Sequence, residues 1–295
     1  MKELVILSGK GGTGKTSLAG CFAAIAKDKV LCDTDVDAAD LYLLLDPDPA
    51  VPVEFWSGQR AWINPEKCTR CGLCAELCRF GAIRDFAVDG TACEGCAFCS
   101  RVCPDGAIAM KENLAGHWFV SETKYGPLVH ARLGIAEENS GKLVTAVRRE
   151  AKRLAEERGL RLIVTDGPPG IGCPVISSLS GASAALIVTE PTLSGIHDME
   201  RVLGVCAHFG VSPLVCINKF DINPANTAEI ESQCRKKGIP VAGKIPYDNV
   251  VTEALIRGVP VVEYSENETS RRIAAMCRTV LEKLESQGKD EEGSR

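Results

Sequence analysis

The sequence lacks a run of apolar residues long enough to cross a membrane, for which a helix needs about 20 residues. Near its start only residues 4–7 are continuously apolar, too few for the core of a secretory signal peptide. It also lacks an excess of positive charge, since 34 Lys and Arg stand against 39 Asp and Glu for a net charge of −5. We therefore expect a cytoplasmic protein with no stable membrane insertion and no broad nucleic-acid-binding face.

The composition also excludes a mainly disordered chain, because 45% of the residues are apolar and 25% are charged. A length of 295 residues is enough for one large domain or two smaller ones, with a sizeable buried core. Thiols stay reduced in the cytoplasm, so the 15 cysteines indicate metal ligands rather than disulfides.

Short apolar runs alternate with helix-like segments along most of the chain. The runs do not alternate apolar with polar residues, so we expect strands that are buried on both faces between layers of helices. The predicted strands are residues 4–7, 30–32, 160–165, 184–189 and 214–217, and the predicted helices are residues 17–27, 141–158, 196–209 and 225–237. This order predicts an α/β fold with a doubly wound, mostly parallel sheet.

One segment, residues 64–111, has no long apolar run and carries a repeated cysteine pattern. Its eight cysteines form two quartets, which are Cys68, Cys71, Cys74 and Cys78, and then Cys93, Cys96, Cys99 and Cys103. Gly-Ala-Ile follows each quartet, at 81–83 and 106–108. We predict a small α+β domain over 64–111, inserted between two parts of the larger domain at 1–63 and 112–286. The charged segment 287–295 is predicted to be a disordered tail.

A glycine-rich loop between the first strand and the first helix matches the phosphate-binding pattern G-x-x-x-x-G-K-[ST]. The residues predicted to bind nucleotide here are Gly9, Lys10, Gly11, Gly12, Thr13, Gly14, Lys15, Thr16 and Ser17. Glycines let backbone N–H groups surround a polyphosphate, and the helix that follows adds its positive end. Lys15 is predicted to reach the β- and γ-phosphates, and the Thr16 hydroxyl to bind Mg²⁺.

The whole loop, GKGGTGKT, resembles the deviant Walker A box of the MinD/ParA family of ATPases, which includes the nitrogenase iron protein. In that family the first lysine reaches the phosphates of the partner in a dimer that encloses the nucleotides. The resemblance therefore implies that Lys10 is catalytic and that this chain forms an ATP-dependent homodimer.

Other segments extend the resemblance over most of the chain outside 64–111. Asp33 and Asp35 stand where the family has its D-x-D segment, which implies that Asp35 orients the attacking water and that Asp33 lies near the metal. Asp166 ends a strand like the family's Walker B strand, so it is expected to hold Mg²⁺. The next residues, 167–170, would respond to the γ-phosphate.

Asn218 and Lys219 resemble the family's base-recognition site, where Asn218 would hydrogen-bond adenine. Asn-Lys pairs after strands also occur in GTP-binding proteins, so this assignment stays open.

Each quartet has the spacing C-x2-C-x2-C-x3-C, and Pro104 follows the second quartet. The spacing is that of bacterial two-cluster ferredoxins, in which the fourth cysteine of each run binds the other cluster. The expected ligands are Cys68, Cys71, Cys74 and Cys103 for one 4Fe–4S cluster, and Cys93, Cys96, Cys99 and Cys78 for the other. Zinc is the alternative metal, but its sites use paired C-x2-C knuckles rather than this run. Arg79 stands where the ferredoxin pattern has proline.

The remaining cysteines show no such pairing, and most lie in apolar runs, so they are predicted to be small buried hydrophobes. Cys173 is the one to watch, because it lies in the segment after Asp166 that is predicted to be the second switch. These residues are Cys21, Cys32, Cys173, Cys206, Cys216, Cys234 and Cys277. A last apolar stripe, from Ile273 to Leu284, is predicted to be core rather than a membrane anchor, because its polar face is of mixed charge.

The combination resembles MinD-superfamily ATPases that carry an inserted ferredoxin-like domain. It implies ATP, Mg²⁺ and two 4Fe–4S clusters as cofactors, with ATP-gated electron transfer to a redox protein partner, or redox switching, as the function. One alternative is an iron–sulfur assembly carrier of the Mrp type, although this sequence lacks that type's C-terminal C-x2-C pair. Another is a MinD/ParA-like positioning ATPase whose clusters are structural or oxygen-sensing.

Overall fold

The structure, a computed structural model, describes residues 1–135, 137 and 140–292, and the chain divides into two compact units. The first unit comprises residues 1–51 and 118–132 together with the described part of 140–295. The second comprises residues 52–117 with the described part of 133–139. The second unit is thus wider than the segment 64–111 that the cysteine pattern predicts, because the strands that flank the cysteines belong to it.

The strands in chain order are β1 (Lys2–Ser8), β2 (Lys29–Asp33), β3 (Val53–Ile63), β4 (Ile83–Arg84), β5 (Ala87–Val88), β6 (Ile108–Ser121), β7 (Leu128–Leu133), β8 (Leu162–Pro169), β9 (Ala184–Thr189), β10 (Ser212–Asn218) and β11 (Val241–Ile245). The helices are α1 (Lys15–Ile25), α2 (Leu41–Leu45), α3 (Leu73–Glu76), α4 (Phe98–Val102), α5 (Ser140–Arg158), α6 (Cys173–Leu179), α7 (Leu193–Phe209), α8 (Pro224–Lys236), α9 (Asn249–Arg257), α10 (Val261–Tyr264) and α11 (Glu268–Glu292).

Within the first unit the sheet has the strand order β11-β10-β9-β1-β8-β2-β7. Strand β1 lies between β8 and β9 and is parallel to both, and β2 is parallel to β7 and β8. Because parallel strands end at one edge, the residues that follow β1, β2, β8, β9 and β10 share the edge where α/β proteins bind ligands. The predicted doubly wound, mostly parallel α/β fold is confirmed for this unit.

Successive residues of the central strands pack into two different apolar cores, as expected for strands covered by helices on both faces. Leu4 and Ile6 of β1 belong to the core that contains Phe22 of α1, and Val5 and Leu7 belong to the other core. This alternation explains why the strand sequences are continuously apolar.

The strands β3 and β6, which flank the cysteines, were not predicted from the sequence. β3 includes the polar residues Gln59 and Arg60, and most of its side chains are exposed or half-buried. β6 is similarly interrupted by Lys111 and Glu112. A strand with one face in solvent alternates apolar and polar residues instead of forming a continuous apolar run. A prediction based on apolar runs therefore misses it.

The last helix, α11, packs its apolar stripe into the core, as predicted. Ile273, Met276, Val280 and Leu284 are each at most 3% exposed. The helix continues to Glu292, into the segment predicted to be a disordered tail, and residues 293–295 lie outside the described part of the chain. No helix among the described residues combines the length and apolarity that crossing a membrane requires.

The second unit repeats its local backbone at corresponding positions of the two cysteine quartets. Gly72 before α3 and Ala97 before α4 are both left-handed, with φ of 83° and 61°. The amide of Gly81 donates to the Cys78 carbonyl at 3.1 Å, and that of Gly106 donates to the Cys103 carbonyl at 3.2 Å. The repeat in the sequence is therefore also a repeat of structure.

Candidate functional site

The phosphate-binding pattern forms the turn between β1 and α1. Gly14 precedes the helix in a left-handed conformation with φ 94°, and a Cβ there would lie 2.7 Å from the side-chain nitrogen of Asn218. No residue with a side chain fits this position without strain. The first turn of α1 contains no acidic residue, so its free N–H groups are available to an anion.

Two side chains of this loop are buried in a way that fits a nucleotide. Lys15 is 6% exposed and lies close enough to Asp35 to lower the pKa of that carboxyl. The Thr13 hydroxyl is buried and has no hydrogen-bond partner in the described part of the chain. A buried hydroxyl without a partner costs free energy, so this atom indicates a group that the loop is built to receive.

The three predicted carboxylates meet beside the loop: Asp33 ends β2, Asp35 follows it, and Asp166 lies within the neighbouring strand β8. Asp33 pairs with Asp166 in the register of these parallel strands, and the two are 0% and 1% exposed. Burial raises the pKa of Asp166 to about 7, although the Thr16 hydroxyl and the Lys15 charge act in the opposite direction. Burial also raises the pKa of Asp35 to about 6.

The pKa of Asp33 is raised well above its ordinary value by burial and by the charge of Asp166. One oxygen of Asp166, Oδ1, is buried without a hydrogen-bond partner. Crowded buried carboxylates are costly unless a cation neutralises them. The hydroxyl of Thr16 and the oxygens of Asp166 are the hard ligands that Mg²⁺ prefers, so these residues fit the predicted metal.

Asp33 also fixes the loop that follows β2. Its Oδ1 accepts a hydrogen bond from the amide of Asp35 at 3.0 Å, and its Oδ2 accepts one from the amide of Leu41 at 3.2 Å. Thr34 donates to the Asp166 carbonyl through its amide at 2.8 Å and through its hydroxyl at 3.0 Å. A movement of the Asp33 carboxylate would therefore also move the backbone at the start of α2, through the hydrogen bond with Leu41.

Asn218 connects β10 to the phosphate loop. Its Nδ2 donates to the Thr13 carbonyl at 2.8 Å, and its Oδ1 accepts from the amide of Lys219 at 3.0 Å. Both ends of the amide group thus have protein partners. Asn218 is brought to the predicted site, and its contacts there are to the loop backbone.

Lys10 lies in an ion pair that the sequence did not predict. Its Nζ is 3.3 Å from Oε2 of Glu190, and the Nζ of Lys219 is 2.6 Å from Oε1 of the same carboxylate. Glu190 directly follows β9 and is buried. The available signal was an acidic residue directly after a fully buried strand, but the sequence near Glu190 does not indicate its partners.

Among the other cysteines, burial follows the prediction. Cys21, Cys32, Cys206, Cys216, Cys234 and Cys277 are buried, whereas Cys173 is exposed. Cys173 begins α6, after the residues 167–170 that are predicted to respond to the γ-phosphate. In this segment the amide of Gly170 donates to the carbonyl of Ser8 at 2.9 Å, next to the phosphate loop.

The second unit has two cavities that are lined by cysteines. Cys68, Cys71, Cys74 and Cys103 line the first cavity, and Cys78, Cys93, Cys96 and Cys99 line the second. The first is narrow, about 10 Å³, and the second is about 320 Å³. The fourth cysteine of each run thus lies in the cavity of the other run.

The cysteines of each cavity are close enough to influence one another. Burial raises the pKa of the Cys74 thiol, and the charges of Cys103 and Cys68 raise it further. Cys99 behaves in the same way, with Cys93 and Cys96 as its neighbours. Within the described residues, no three His, Cys, Asp or Glu side chains are arranged to bind one metal ion.

Known proteins are similar to this chain over most of its length. The profile of the CobQ/CobB/MinD/ParA nucleotide binding domain matches residues 4–261. The uncharacterized protein MJ0578 of Methanocaldococcus jannaschii is 36% identical over 227 residues, covering 76% of this chain and 80% of that protein.

Two further comparisons have lower sequence identity. The septum site-determining protein MinD of Pyrococcus horikoshii, solved with Mg-ADP, superposes with a TM-score of 0.58 at 18% identity, covering 95% of each chain. The cytosolic Fe–S cluster assembly factor Nubp1 homolog of Drosophila willistoni is 25% identical over 144 residues, covering 42% of this chain and 46% of that protein. The profile match includes the phosphate loop, the carboxylates and Asn218, and the chain belongs to the CobQ/CobB/MinD/ParA family of nucleotide-binding domains.

Proposed function

We propose that this protein binds and hydrolyses Mg-ATP and couples its nucleotide state to two 4Fe–4S clusters in the second unit. Lys15 would hold the β- and γ-phosphates, and Thr16 and Asp166 would hold Mg²⁺. Asp33 would support the metal site, and Asp35 would orient the attacking water. The unpartnered Thr13 hydroxyl and Asp166 Oδ1 support this assignment, because a bound Mg-nucleotide would supply partners for both atoms.

Lys10 would reach the phosphates of a second copy of the chain, in an ATP-dependent homodimer. This role comes from the resemblance of the loop to the deviant Walker A box. Asn218 and Lys219 would lie on the base side of the nucleotide, where Asn218 holds the loop carbonyl of Thr13. Asn218 would also hydrogen-bond adenine.

The observation that carries the iron–sulfur assignment is that each cavity of the second unit is lined by one predicted ligand set. Thiolates are soft ligands that suit iron–sulfur clusters, and such clusters supply one-electron redox chemistry when bound. The amide of Ala107 already donates to the Cys103 sulfur at 3.3 Å, a contact of the kind that tunes cluster potentials.

The proposed coupling follows the chain from the carboxylates. Asp33 accepts a hydrogen bond from Leu41, the first residue of α2, and the second unit begins at Pro52 shortly after that helix. A γ-phosphate that changes the segment after β2 would act on the chain leading into the second unit. Transfer of an electron to or from a redox protein partner would then depend on ATP.

Anaerobic purification tests the clusters first. We expect about eight irons and eight acid-labile sulfides per chain, as two 4Fe–4S clusters require. Redox titrations with and without a non-hydrolysable ATP analogue then test the coupling, with Lys15→Ala as the control that should not respond to nucleotide. Zinc in place of iron refutes the cluster assignment, and identical potentials and partner affinities with and without the analogue refute the coupling.

A second candidate is an iron–sulfur cluster carrier, which the similarity to the Nubp1 homolog favours. In a carrier the clusters would be labile, whereas four cysteine ligands for each cluster favour retention. Transfer of radiolabelled iron to an apo-ferredoxin distinguishes the two functions, because a carrier transfers its clusters within minutes and an electron-transfer protein keeps them.

A positioning ATPase is a third candidate, supported by the likeness to the fold of MinD. It would bind liposomes or DNA only when ATP is present. Co-sedimentation with each of these, with and without the ATP analogue, is the test, and the acidic composition leads us to expect no binding to either.

A further inference from the structure

Glu190 holds two lysines that come from different parts of the first unit. Lys10 belongs to the phosphate loop and Lys219 follows β10, and each ammonium group is paired with a different oxygen of the carboxylate. The Glu190 side chain is 10% exposed, against 36% for Lys10 and 33% for Lys219. The carboxylate is therefore the buried member of both pairs.

The backbone around Glu190 cannot easily follow a moving lysine. The Glu190 carbonyl accepts a hydrogen bond from the amide of Thr192 at 2.8 Å, and the Pro191 carbonyl accepts one from Nδ2 of Asn226 at 3.0 Å. The Thr192 hydroxyl in turn caps α7 by accepting from the amide of Gly195 at 3.0 Å. Glu190 is thus fixed between a strand end and a capped helix.

The two ion pairs have different consequences when one is broken. A buried carboxylate that loses every cation is strongly destabilising. When Lys10 leaves Glu190, the shorter pair with Lys219 remains, at 2.6 Å against 3.3 Å for Lys10. Lys219 is itself held through its amide, which donates to Oδ1 of Asn218. Lys10 can therefore be released without leaving the carboxylate unpaired.

We propose that Glu190 is a positioning residue that retains Lys10 within its own subunit until two ATP-bound copies of the chain associate. The triphosphate of the second copy would compete with Glu190 for the Lys10 ammonium group, and Lys219 would keep Glu190 neutralised after the exchange. Glu190 would then set the protein concentration at which the dimer forms. This inference rests on the proposed function, specifically on the role of Lys10 in the dimer.

Two substitutions change the balance in opposite directions. Glu190→Gln keeps the shape of the side chain but weakens its hold on Lys10, so the dimer should form at about 10-fold lower protein concentration. Lys219→Met leaves Lys10 as the cation for Glu190, so the dimer should need about 10-fold higher concentration. The measurement is sedimentation velocity with Mg²⁺ and a non-hydrolysable ATP analogue at a concentration that saturates each variant, because Lys219 itself lies on the base side of the proposed nucleotide site.

A second readout separates retention of Lys10 from a general structural role. In the nucleotide-free protein, acylation of the Lys10 amine, followed by mass spectrometry, should be several-fold faster in Glu190→Gln than in wild type, because an ion-paired amine reacts slowly. Glu231→Gln is the matched control, since Glu231 pairs with Lys244 at 2.7 Å away from the loop. It should change neither the dimer midpoint nor Lys10 labelling.

The outcomes distinguish this inference from the proposed function. If the wild-type protein binds the analogue but stays monomeric, the proposed dimer is refuted and the inference falls with it. If the wild type dimerises but Glu190→Gln changes neither the midpoint nor the labelling, the inference alone is refuted. If Glu190→Gln does not fold, Lys219→Met decides, because an unchanged or lower midpoint contradicts the proposal.

Discussion

The two units of this chain are stabilised in different ways. The first unit packs two large apolar cores against the two faces of its sheet. In the described part of the second unit, the apolar cluster has four buried members, Ala61, Ile63, Ile83 and Ile108, and the side chains packed against it include six of the eight quartet cysteines. A core this small provides little stability by itself, and small domains of this kind commonly depend on metals.

The functional groups differ in the same way. In the first unit the candidate site lies at the edge of a sheet that two apolar cores already stabilise. The fold of this unit therefore does not depend on a bound ligand. In the second unit six of the quartet cysteines pack against the apolar cluster, so replacing one of them also removes part of the core. If the proposed function is right, the first unit folds before it binds nucleotide, whereas the second unit gains much of its stability from its clusters.

The largest expected effect comes from removing a cluster ligand. Cys74→Ser should lower the iron content by about half and increase amide hydrogen exchange across residues 52–117 on the order of 10-fold or more, because ligand binding and folding are linked there. Exchange within residues 1–51 should stay unchanged. Cys173→Ser, an exposed cysteine outside the quartets, is the control. Unchanged exchange in residues 52–117 would contradict the comparison.

The next effect concerns the first unit alone. Arg148 donates to both oxygens of Glu3, at 2.8 Å and 2.6 Å, and both side chains are buried. Arg148→Met leaves the Glu3 charge without this partner, so the free energy of unfolding should fall by about 3–5 kcal/mol. Urea denaturation measures the change. Arg153→Met removes the exposed pairs with Glu150 and Glu157, and it should lower the free energy of unfolding much less than Arg148→Met does.

The Asp166 carboxylate should lower the stability of the ligand-free protein and should be required for the binding of Mg-ATP. Because burial raises its pKa, Asp166 destabilises the ligand-free protein once the pH exceeds the ordinary pKa of an aspartate, up to its folded value of about 7. Asp166→Asn should therefore raise the free energy of unfolding without nucleotide by about 1–2 kcal/mol at pH 8. It should also abolish the stabilisation by Mg-ATP, which for the wild type is about 2.7 kcal/mol at 100 times Kd. A less stable ligand-free variant would contradict this account.

The smallest expected effect is a dependence on pH within the first unit. The ring of His130 stacks between Tyr42 and Phe119, and burial, aided by the charge of Arg132, lowers its pKa from 6.5 to about 4. Between these values the unfolded state binds the proton more readily, so stability is lost as the pH falls from 6.5 to 4. His130→Phe should reduce this loss by about 1–2 kcal/mol, after discounting for partial exposure. The free energy of unfolding is measured by urea denaturation from pH 7 to pH 4. If it falls by the same amount in the wild type and in His130→Phe, the assignment is refuted.

Much of the first unit could be predicted because its signals are local. The strand 184–189 was predicted with its observed bounds, and the loop from Gly9 to Thr16 lies between a strand and a helix as its pattern requires. An apolar run indicates a strand that is buried on both faces, and a glycine pattern indicates the backbone conformation of a loop. The half-exposed strands β3 and β6 carry neither signal, and for that reason the second unit begins earlier than its cysteines suggest.

By itself the sequence determined the backbone of the phosphate loop and the spacing of the cysteine quartets, from which the phosphate and metal ligands were predicted, because glycines and short cysteine spacings constrain short stretches of backbone. Only the tertiary structure decided which distant groups share a charge or a cavity. The pair of Glu190 with Lys10, the pair of Glu3 with Arg148, and the position of Cys103 beside Cys74 all depend on strand register and chain crossing. Electrostatic energy depends on separation in space rather than along the chain, so no local pattern could specify these contacts.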